Sequence, residues 1–479
     1  MLRKLLQYLG LVLLLAYSSN ALPYAGPAAK STNIATDQAA PAQTPPDQAA
    51  LQSAVREMSQ HLARVALDES GGARGDYDLH QSRWLPYERA WHTGQMIWGL
   101  LHAYKLQNDS EYLDAATRAG EWWITQSIGS GPLQGMLNAA HGDRLGELIN
   151  FSTLSDGTPG LFALSQATHN PLYAQTAAKA ASWSLQHLYL PDAGLVLNIV
   201  DPANGEIWRD RSPHHAARPA RLNQVARPNI EGFLFLEAAQ YLADPAMLAA
   251  FFRLADRAVE LQHPNGLWMD FEPNDPSGKV HPRFNLWYAE ALLRAANASA
   301  APAQRQRYIA AAGKTIQTMR SALNADGSIL YDLTDPRYSV RKAGAAAPLG
   351  RIKLESTGAS LTPSASAFLG IVMLDWRALT QDQTNDATLH QIAHFLIANR
   401  FPLTHPDANV RAAQMEWRQR KAANDFRVRP IAEAFALRFL ARYSEAFLPA
   451  TAPPAAPAAW PCSTTWRKTS LPSGRARRR

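Results

Sequence analysis

Apolar residues recur at three- and four-residue spacing along most of this chain, and the stretches that carry them come in pairs. The first pair covers Glu88–Leu106 and Ser110–Ile128, with Trp91, Ile97, Leu101 and Tyr104 along the first stripe. The same spacing predicts helices over Pro159–Thr168 and Pro171–Tyr189, Asn229–Leu242 and Pro245–His263, and Arg283–Ala298 and Pro302–Leu323. A further pair is Pro363–Leu379 and Asp386–Arg400. Pro430–Ala446 has no helix after it to pair with. Ala49–Leu67 has none before it, and carries Leu51, Val55, Met58, Leu62 and Val65 at helical spacing. Pairing these two end segments closes six hairpins into a ring.

Six prolines mark the first members of the pairs: Pro86, Pro159, Pro228, Pro282, Pro363 and Pro430. Proline suits the first turn of a helix, because its φ is already helical and its missing N–H has no partner there anyway. Thr158 and Thr362 stand just before two of them as candidate capping hydroxyls. Successive prolines lie 73, 69, 54, 81 and 67 residues apart, a long-period internal repeat. The second helices open alike, at Asp109-Ser-Glu-Tyr112, Asn170-Pro-Leu-Tyr173 and Asp244-Pro-Ala-Met247. Turn-then-extended segments follow at Asp192-Ala-Gly-Leu-Val-Leu, Asn265-Gly-Leu-Trp-Met-Asp270 and Asp326-Gly-Ser-Ile-Leu-Tyr-Asp332. Unequal gaps, long loops on one side only and the unpaired ends favour a closed toroid over an open solenoid. The expected fold is all-α, an (α/α)6 toroid with short hairpin strands in its long loops.

Composition adds the boundaries. Arg3 and Lys4, the apolar Leu11–Ala16 and the small residues Ser19-Asn20-Ala21 read as a signal peptide over 1–21. An Ala-, Pro- and Gln-rich tether over 22–48 follows, then the toroid over 49–446, then a basic Pro- and Ala-rich tail over 447–479. This predicts a periplasmic or secreted protein with no stable membrane span after cleavage. The lone Cys462 lies in the tail, so no intrachain disulfide supports the fold. Two positive charges fall in the leader and six after residue 450, and neither segment holds an acid. Of the net charge of +7, the body therefore carries −1, which argues against a nucleic-acid partner.

The loops that enter the first helices are long and polar, and those at the other end, such as Gln107-Asn108 and Leu242-Ala243, are short. Function therefore belongs at the long-loop mouth. The first repeat offers Glu88, Arg89 and His92 there, with Trp84 and Trp91; the second offers Asp156; the third Arg227, Asn229 and Glu231. The fourth offers His281, Arg283, Asn285, Trp287 and Tyr288, with Asp270 and Glu272 in its entry loop. Glu355 comes from the fifth, and Arg427, Arg429 and Glu433 from the sixth. Each has a plainer reading. Glu88 and Glu231 fall in first turns, where a carboxylate complements the helix dipole. Asp156-Gly157 reads as a turn, His281 as a cap, Asp270 and Glu272 as solvated loop acids, and the tryptophans as core.

Taken together the set suits a saccharide. Aromatic faces meet sugar C–H groups, carboxylates and amides take the hydroxyls, and arginines hold a uronate carboxylate. Paired carboxylates are what glycosidic cleavage requires. No zincin, P-loop or dinucleotide motif is present, so no metal or cofactor is expected. The leading expectation is an exported glycoside hydrolase acting on a uronate-containing oligo- or polysaccharide. Asp156 is its general acid, Glu231 or Glu88 its base, and Arg227 and Arg283 its uronate clamps. His92, Asn229, Asp270, His281, Trp287 and Tyr288 complete the binding set. A polysaccharide lyase or uronate epimerase, with His281 or Tyr288 taking the proton, is the alternative chemistry. A non-catalytic polysaccharide-binding or assembly protein is the alternative class.

The segment Trp91-His-Thr-Gly-Gln-Met-Ile-Trp-Gly-Leu-Leu-His-Ala-Tyr104, with Asn108-Asp-Ser-Glu-Tyr-Leu-Asp114 after it, is similar to a repeat unit of the six-hairpin glycosidase superfamily. So is Asp156-Gly-Thr-Pro-Gly-Leu-Phe-Ala-Leu-Ser-Gln-Ala-Thr168. The resemblance covers residues 49–446 and lies at the level of the fold. These α/α toroids include unsaturated glucuronyl hydrolases, uronate epimerases and several polysaccharide lyases. The hydrolases use aspartates at inner-helix entrances, a role the resemblance gives to Asp156, while the second aspartate has no counterpart in this chain.

Overall fold

Hairpin by hairpin, the helices fall where the apolar spacing places them. The computed structural model describes residues 44–142, 146–213, 219–271, 274, 278–331, 333–336, 354–356, 360–420 and 423–448, of which 417–420 and 423–426 are described as backbone only. The leader, Glu272 and Cys462 lie outside the described residues. Helix α1 is Gln48–His61, continued by a π-turn over Leu62–Ala66. Next come α2 (Arg89–Gln107), α3 (Ser110–Thr125), α4 (Phe151–Gly157), α5 (Pro159–Thr168) and α6 (Pro171–His187). They are followed by α7 (Leu234–Leu242), α8 (Pro245–Leu261), α9 (Pro282–Ala298) and α10 (Pro302–Arg320). The last three are α11 (Pro363–Thr380), α12 (Asp386–Ala398) and α13 (Pro430–Phe447).

Helices α2, α5, α7, α9, α11 and α13 form the inner ring, each packed on the next except that α9 meets the turn Glu231–Phe233 leading into α7, and α13 returns to α2. The other long helices cover them, and α1 packs on α13 as its outer partner. Leu51, Val55, Met58 and Leu62 of the N-terminal stripe are fully buried. His61 Nδ1 lies 2.7 Å from Glu433 Oε2, and Gln107 Nε2 donates to the Gln52 carbonyl at 2.7 Å. Glu433 therefore serves the closure rather than the mouth. Inner helices are buried on nearly every face because they lie between the outer ring and the axis. This is why their sequences look less amphipathic than a surface helix does.

Capping follows the sequence only in part. Asp109, Asn170 and Asp244 accept backbone N–H bonds at 2.9 to 3.1 Å and start α3, α6 and α8. The two threonines do not cap. Thr158 Oγ1 donates back to the Leu154 carbonyl at 2.8 Å, because α4 ends immediately before it, and Thr362 Oγ1 lies 3.1 Å from Ser364 Oγ. Four prolines occupy a first helical position, but Pro86 and Pro228 lie upstream of theirs. After them the chain passes through left-handed conformations at Glu88 (φ 48°) and Asn229 (φ 47°). Asp156, whose plainer reading was a turn, lies inside α4, whose N-cap is Asn150.

The strands are more extensive than expected. Strands β1 (Asp76–Asp78), β2 (Arg83–Leu85), β3 (Ser360–Leu361), β4 (Glu416–Arg420) and β5 (Ala423–Val428) form an antiparallel sheet in the order β3-β4-β5-β1-β2. Tyr77 stands opposite Val428 in its register. The sheet ties the first and last long loops together and delivers Asp76, Glu416 and Arg429 to the mouth.

Inner helices approach closely where glycine allows it. A Cβ at Gly94 of α2 would overlap the carbonyl of Gly157, where α4 ends. Gly94→Ala should therefore destabilise the fold by about 3 kcal/mol or more in urea titrations, although alanine is the better helix former. Gly129→Ala, with open space around it, should leave the midpoint unchanged.

Candidate functional site

The five connections at one end of the ring are short: 108–109, 169–170, 243–244, 299–301 and 381–385. Those at the other end are long, and between them opens a cavity of about 230 Å³. Seven of the eleven residues given a catalytic or binding role in the sequence line it: Glu88, Asp156, Arg227, Glu231, His281, Arg283 and Trp287. Trp91 lines it as well. The other four of the eleven do not. A helix turns about 100° per residue, so the neighbour of a cavity-facing side chain points elsewhere. His92, next to Trp91, is fully buried behind the wall, 3.9 Å from both Asp76 and Glu88. Tyr288, next to Trp287, accepts the Asn229 backbone N–H at 3.2 Å. Asn229 itself accepts from Arg227 Nε at 2.6 Å and donates to the Val196 carbonyl at 3.0 Å, so it buttresses rather than lines. Asp270 is exposed outside the cavity, 2.7 Å from His263.

Asp156 sits in the wall of the cavity, 2 % exposed. Its Oδ2 accepts a hydrogen bond from the Trp91 indole N–H. Burial pushes its carboxyl up to about 8; the Trp91 hydrogen bond and Arg438 oppose the rise, and Glu290 and Glu231 add to it. At neutral pH it is a protonated acid. Gln95, one turn along α2 from Trp91, donates to the Asp156 carbonyl at 2.5 Å. Gln95 in turn accepts from Arg438 at 3.1 Å, and Arg438 donates to Glu290 at 2.7 Å. This buried chain closes the floor along the ring axis.

The two glutamates differ. Glu231 pairs with Arg227 through Oε1 at 2.7 Å, and its buried Oε2 has no hydrogen-bond partner among the described residues. Burial raises its carboxyl above the usual range, against the Arg227 charge. Glu88 is also desolvated, but His141 at 3.1 Å, Arg429 at 3.2 Å and His92 outweigh this and hold it well below the usual range. Arg429 is surrounded by carboxylates, with Asp76 at 3.0 Å and Glu416 at 3.7 Å besides. Burial and Arg429 drive His92 down to about 3, so it is a neutral buttress at physiological pH.

Among the described arginines that line the cavity, Arg283 is the exception. It is 4 % exposed, donates to Ser364 Oγ at 3.1 Å, and its guanidinium lies 5.3 Å from the Trp91 ring centre. It has no carboxylate partner among the described residues, and its Nε bonds nothing. Burial and the Arg429 charge lower its pKa. A guanidinium nonetheless stays protonated in proteins, so a positive charge faces the cavity with no ion-pair partner among the described residues, and the carboxylates that act on it, Glu416 and Glu88, are more distant. Beside it, His281 caps α9 by accepting the Phe284 N–H at 3.2 Å, and burial and Arg283 keep it neutral. The capping reading of His281 and its place in the cavity wall thus both hold.

The cavity also takes Tyr87, His141, Asn150, Ser152, Asn198 and Tyr331, which sequence reasoning passed over. Tyr87 adjoins Glu88 and was within reach of the proline rule. Asn150 and Ser152 stand at the start of α4, and the others come from mid-loop positions whose approach depends on tertiary packing. Among the described residues no group of His, Cys, Asp and Glu is arranged to hold a metal, and no helix is long and apolar enough to cross a membrane.

No protein-family profile matches the chain, and no curated protein does. Solved structures match it in fold. An unsaturated glucuronyl hydrolase specific for heparin superposes with a TM-score of 0.58 at 13% identity, over 84% of this chain and 98% of that one. A D-mannose isomerase gives 0.57 at 14% identity, over 83% and 98%. A possible member of the GH105 family from Klebsiella pneumoniae gives 0.56 at 14% identity, over 89% and 100%. At such identities the likeness establishes the fold, that of the six-hairpin glycosidases.

The acid's desolvation makes a stability prediction. Its folded pKa of about 8 lies above the ordinary 3.8. The folded state therefore holds a proton that the unfolded chain releases between these values, and stability falls as pH rises through that window. Asp156→Asn cannot ionise. Its melting temperature relative to wild type should climb from pH 5 to pH 8, as read by scanning calorimetry.

Proposed function

We propose that this protein is an exported glycoside hydrolase acting on a uronate-containing oligo- or polysaccharide, in the periplasm or outside the cell. The observation that carries the reading is the pairing, in one cavity, of a protonated buried acid with an arginine that lacks a carboxylate. Asp156 supplies the proton to the leaving glycosidic oxygen. Arg283, with Ser364 beside it, takes the sugar carboxylate as a charge-assisted hydrogen-bond donor. Glu231 is the better base of the two glutamates. Its Oε2 is unpartnered and its proton affinity is raised by burial, whereas three positive or polarised partners hold Glu88 too acidic to accept a proton readily. Glu88 instead anchors Arg429 and His141. Trp287 and Trp91 offer aromatic faces to the ring. The fold neighbours include enzymes whose names carry glucuronyl hydrolysis, which accords with this reading.

A second reading rests on His281. A neutral imidazole beside Arg283 suits proton removal next to a bound carboxylate, as in a lyase or epimerase. Tyr288 has no part in either chemistry, since its hydroxyl is turned into the wall. The products separate the two: new ultraviolet absorbance marks elimination, and new reducing ends without it mark hydrolysis.

Asp156→Asn should lower turnover of an oligosaccharide ending in a uronate by about 10²–10⁴-fold with the fold intact. In the wild-type protein kcat/KM should fall as pH rises past about 8, the value to which Asp156 is pushed. Arg283→Ala should raise KM for the charged substrate by about 10- to 100-fold and leave a neutral analogue nearly unaffected. Full activity of Asp156→Asn would end the hydrolase reading; binding of such saccharides with no turnover by the wild type would leave a binding protein.

A further inference from the structure

Two residues of α2 grip one aspartate from both sides. Trp91 and Gln95 are one helical turn apart and share a face. The first donates to the Asp156 side chain and the second to its backbone carbonyl. Gly94 between them lets α2 lie directly on the Gly157 carbonyl, an approach that any Cβ would block. The grip is itself braced, since Arg438 holds Gln95 and Glu290 holds Arg438. Trp91 is braced on its other edges by Trp287 at 5.5 Å and Phe435 at 6.2 Å between ring centres. Its face also carries the Arg283 guanidinium. One indole therefore touches both groups on which the proposed reaction depends.

We propose that Trp91 is the positioning residue of this site: its indole N–H occupies Asp156 Oδ2 and so directs the transferable proton to Oδ1, while its ring face sets the height of Arg283. The inference rests on the hydrolase reading above. The chemistry is simple in outline. A carboxylic acid carries its proton on one oxygen, and an N–H donor aimed at the other oxygen excludes the proton from it. Oδ1 has no hydrogen-bond partner among the described residues and is the oxygen left to face the substrate. The charges facing Asp156 are Glu231 from the segment before α7, Glu290 from α9 and Arg438 from α13. None of them touches the carboxyl group, so the indole alone chooses between the two oxygens. Without that donor the carboxyl group loses both the side on which its proton sits and the fixed orientation that aims it, and misalignment of a reacting group costs far more than an even sharing of the proton would.

Trp91→Phe separates the two tasks, because it keeps a ring under Arg283 and removes the N–H. With a uronate-ended oligosaccharide, kcat should fall by about 10- to 100-fold while KM stays within about threefold. The basic limb of the pH profile should move upward, because the lost hydrogen bond favoured the ionised acid. Trp91→Leu removes both and should raise KM as well. A spectroscopic readout covers the case in which the variants fold poorly. In wild-type protein labelled with ¹⁵N-tryptophan, one indole N–H resonance should titrate with Asp156 and lose that titration in Asp156→Asn. An inactive Asp156→Asn alongside a Trp91→Phe with unchanged kcat and pH limb would overturn the inference and leave the hydrolase reading standing. So would a set of indole resonances that ignore the titration of Asp156. A fully active Asp156→Asn would overturn both.

Discussion

The arrangement depends on one desolvated carboxyl group. Asp156 is placed in the wall of the toroid by a short helix that the hairpin repeat does not require, and its burial among protein atoms keeps it protonated at neutral pH. A buried carboxyl group without a partner is costly. The indole N–H of Trp91 offsets part of that cost, and the contact is possible because α2 and α4 meet at glycines. Packing density and proton affinity are thus consequences of the same close approach, and so is the reactivity proposed for the acid. The buried chain from Gln95 through Arg438 to Glu290 extends this rigidity down the axis of the ring. It also leaves the floor closed, so anything bound must enter and leave through the long-loop mouth.

Charge at the mouth is sorted by partner. Arg429 is surrounded by Asp76, Glu88 and Glu416, and Arg227 is tied to Glu231. These pairs hold walls in place and have little left for a ligand. Arg283 is as deeply buried and has only a serine hydroxyl and aromatic faces. A buried guanidinium without an anion is unfavourable, and an incoming carboxylate relieves it. The same contrast distinguishes the glutamates. Glu88 is neutralised by its neighbours, whereas Glu231 keeps one oxygen unbonded. In the proposed reading, preference for an acidic ligand follows from which charges the protein leaves unpaired, and the number of charges at the mouth is a poor guide to it.

Much of the fold was legible in the sequence because helices of a toroid are local objects with a regular apolar period. Leu51, Val55, Met58 and Leu62 announced an N-terminal helix that needed a partner, and α13 supplies it. The five-stranded sheet was not legible, since β1 near the start of the domain pairs with β5 near its end, β3 reaches β4 across a helical hairpin, and the strands are short. At the site, proximity to prolines located Glu88, Asp156, Arg227, Glu231, His281, Arg283 and Trp287 at one cavity. It could not separate Trp91 from His92, or Trp287 from Tyr288, because one helical step decides which side chain faces inward. Nor could it separate paired from unpaired arginines, which depends on Asp76 and Glu416 arriving from the sheet. His141 and Asn198 carry no local signal and reach the cavity through loop packing alone.

The most direct measurement of the central claim is a mass balance. Purified protein is incubated with oligosaccharides that end in a uronic acid and with their neutral counterparts, and every product is weighed by electrospray mass spectrometry. The account predicts that only the charged substrates are split, and that the two products together exceed the substrate by the mass of one water. Products that sum to the substrate mass, an unchanged mass with an altered sugar, or equal cleavage of the neutral series would contradict it.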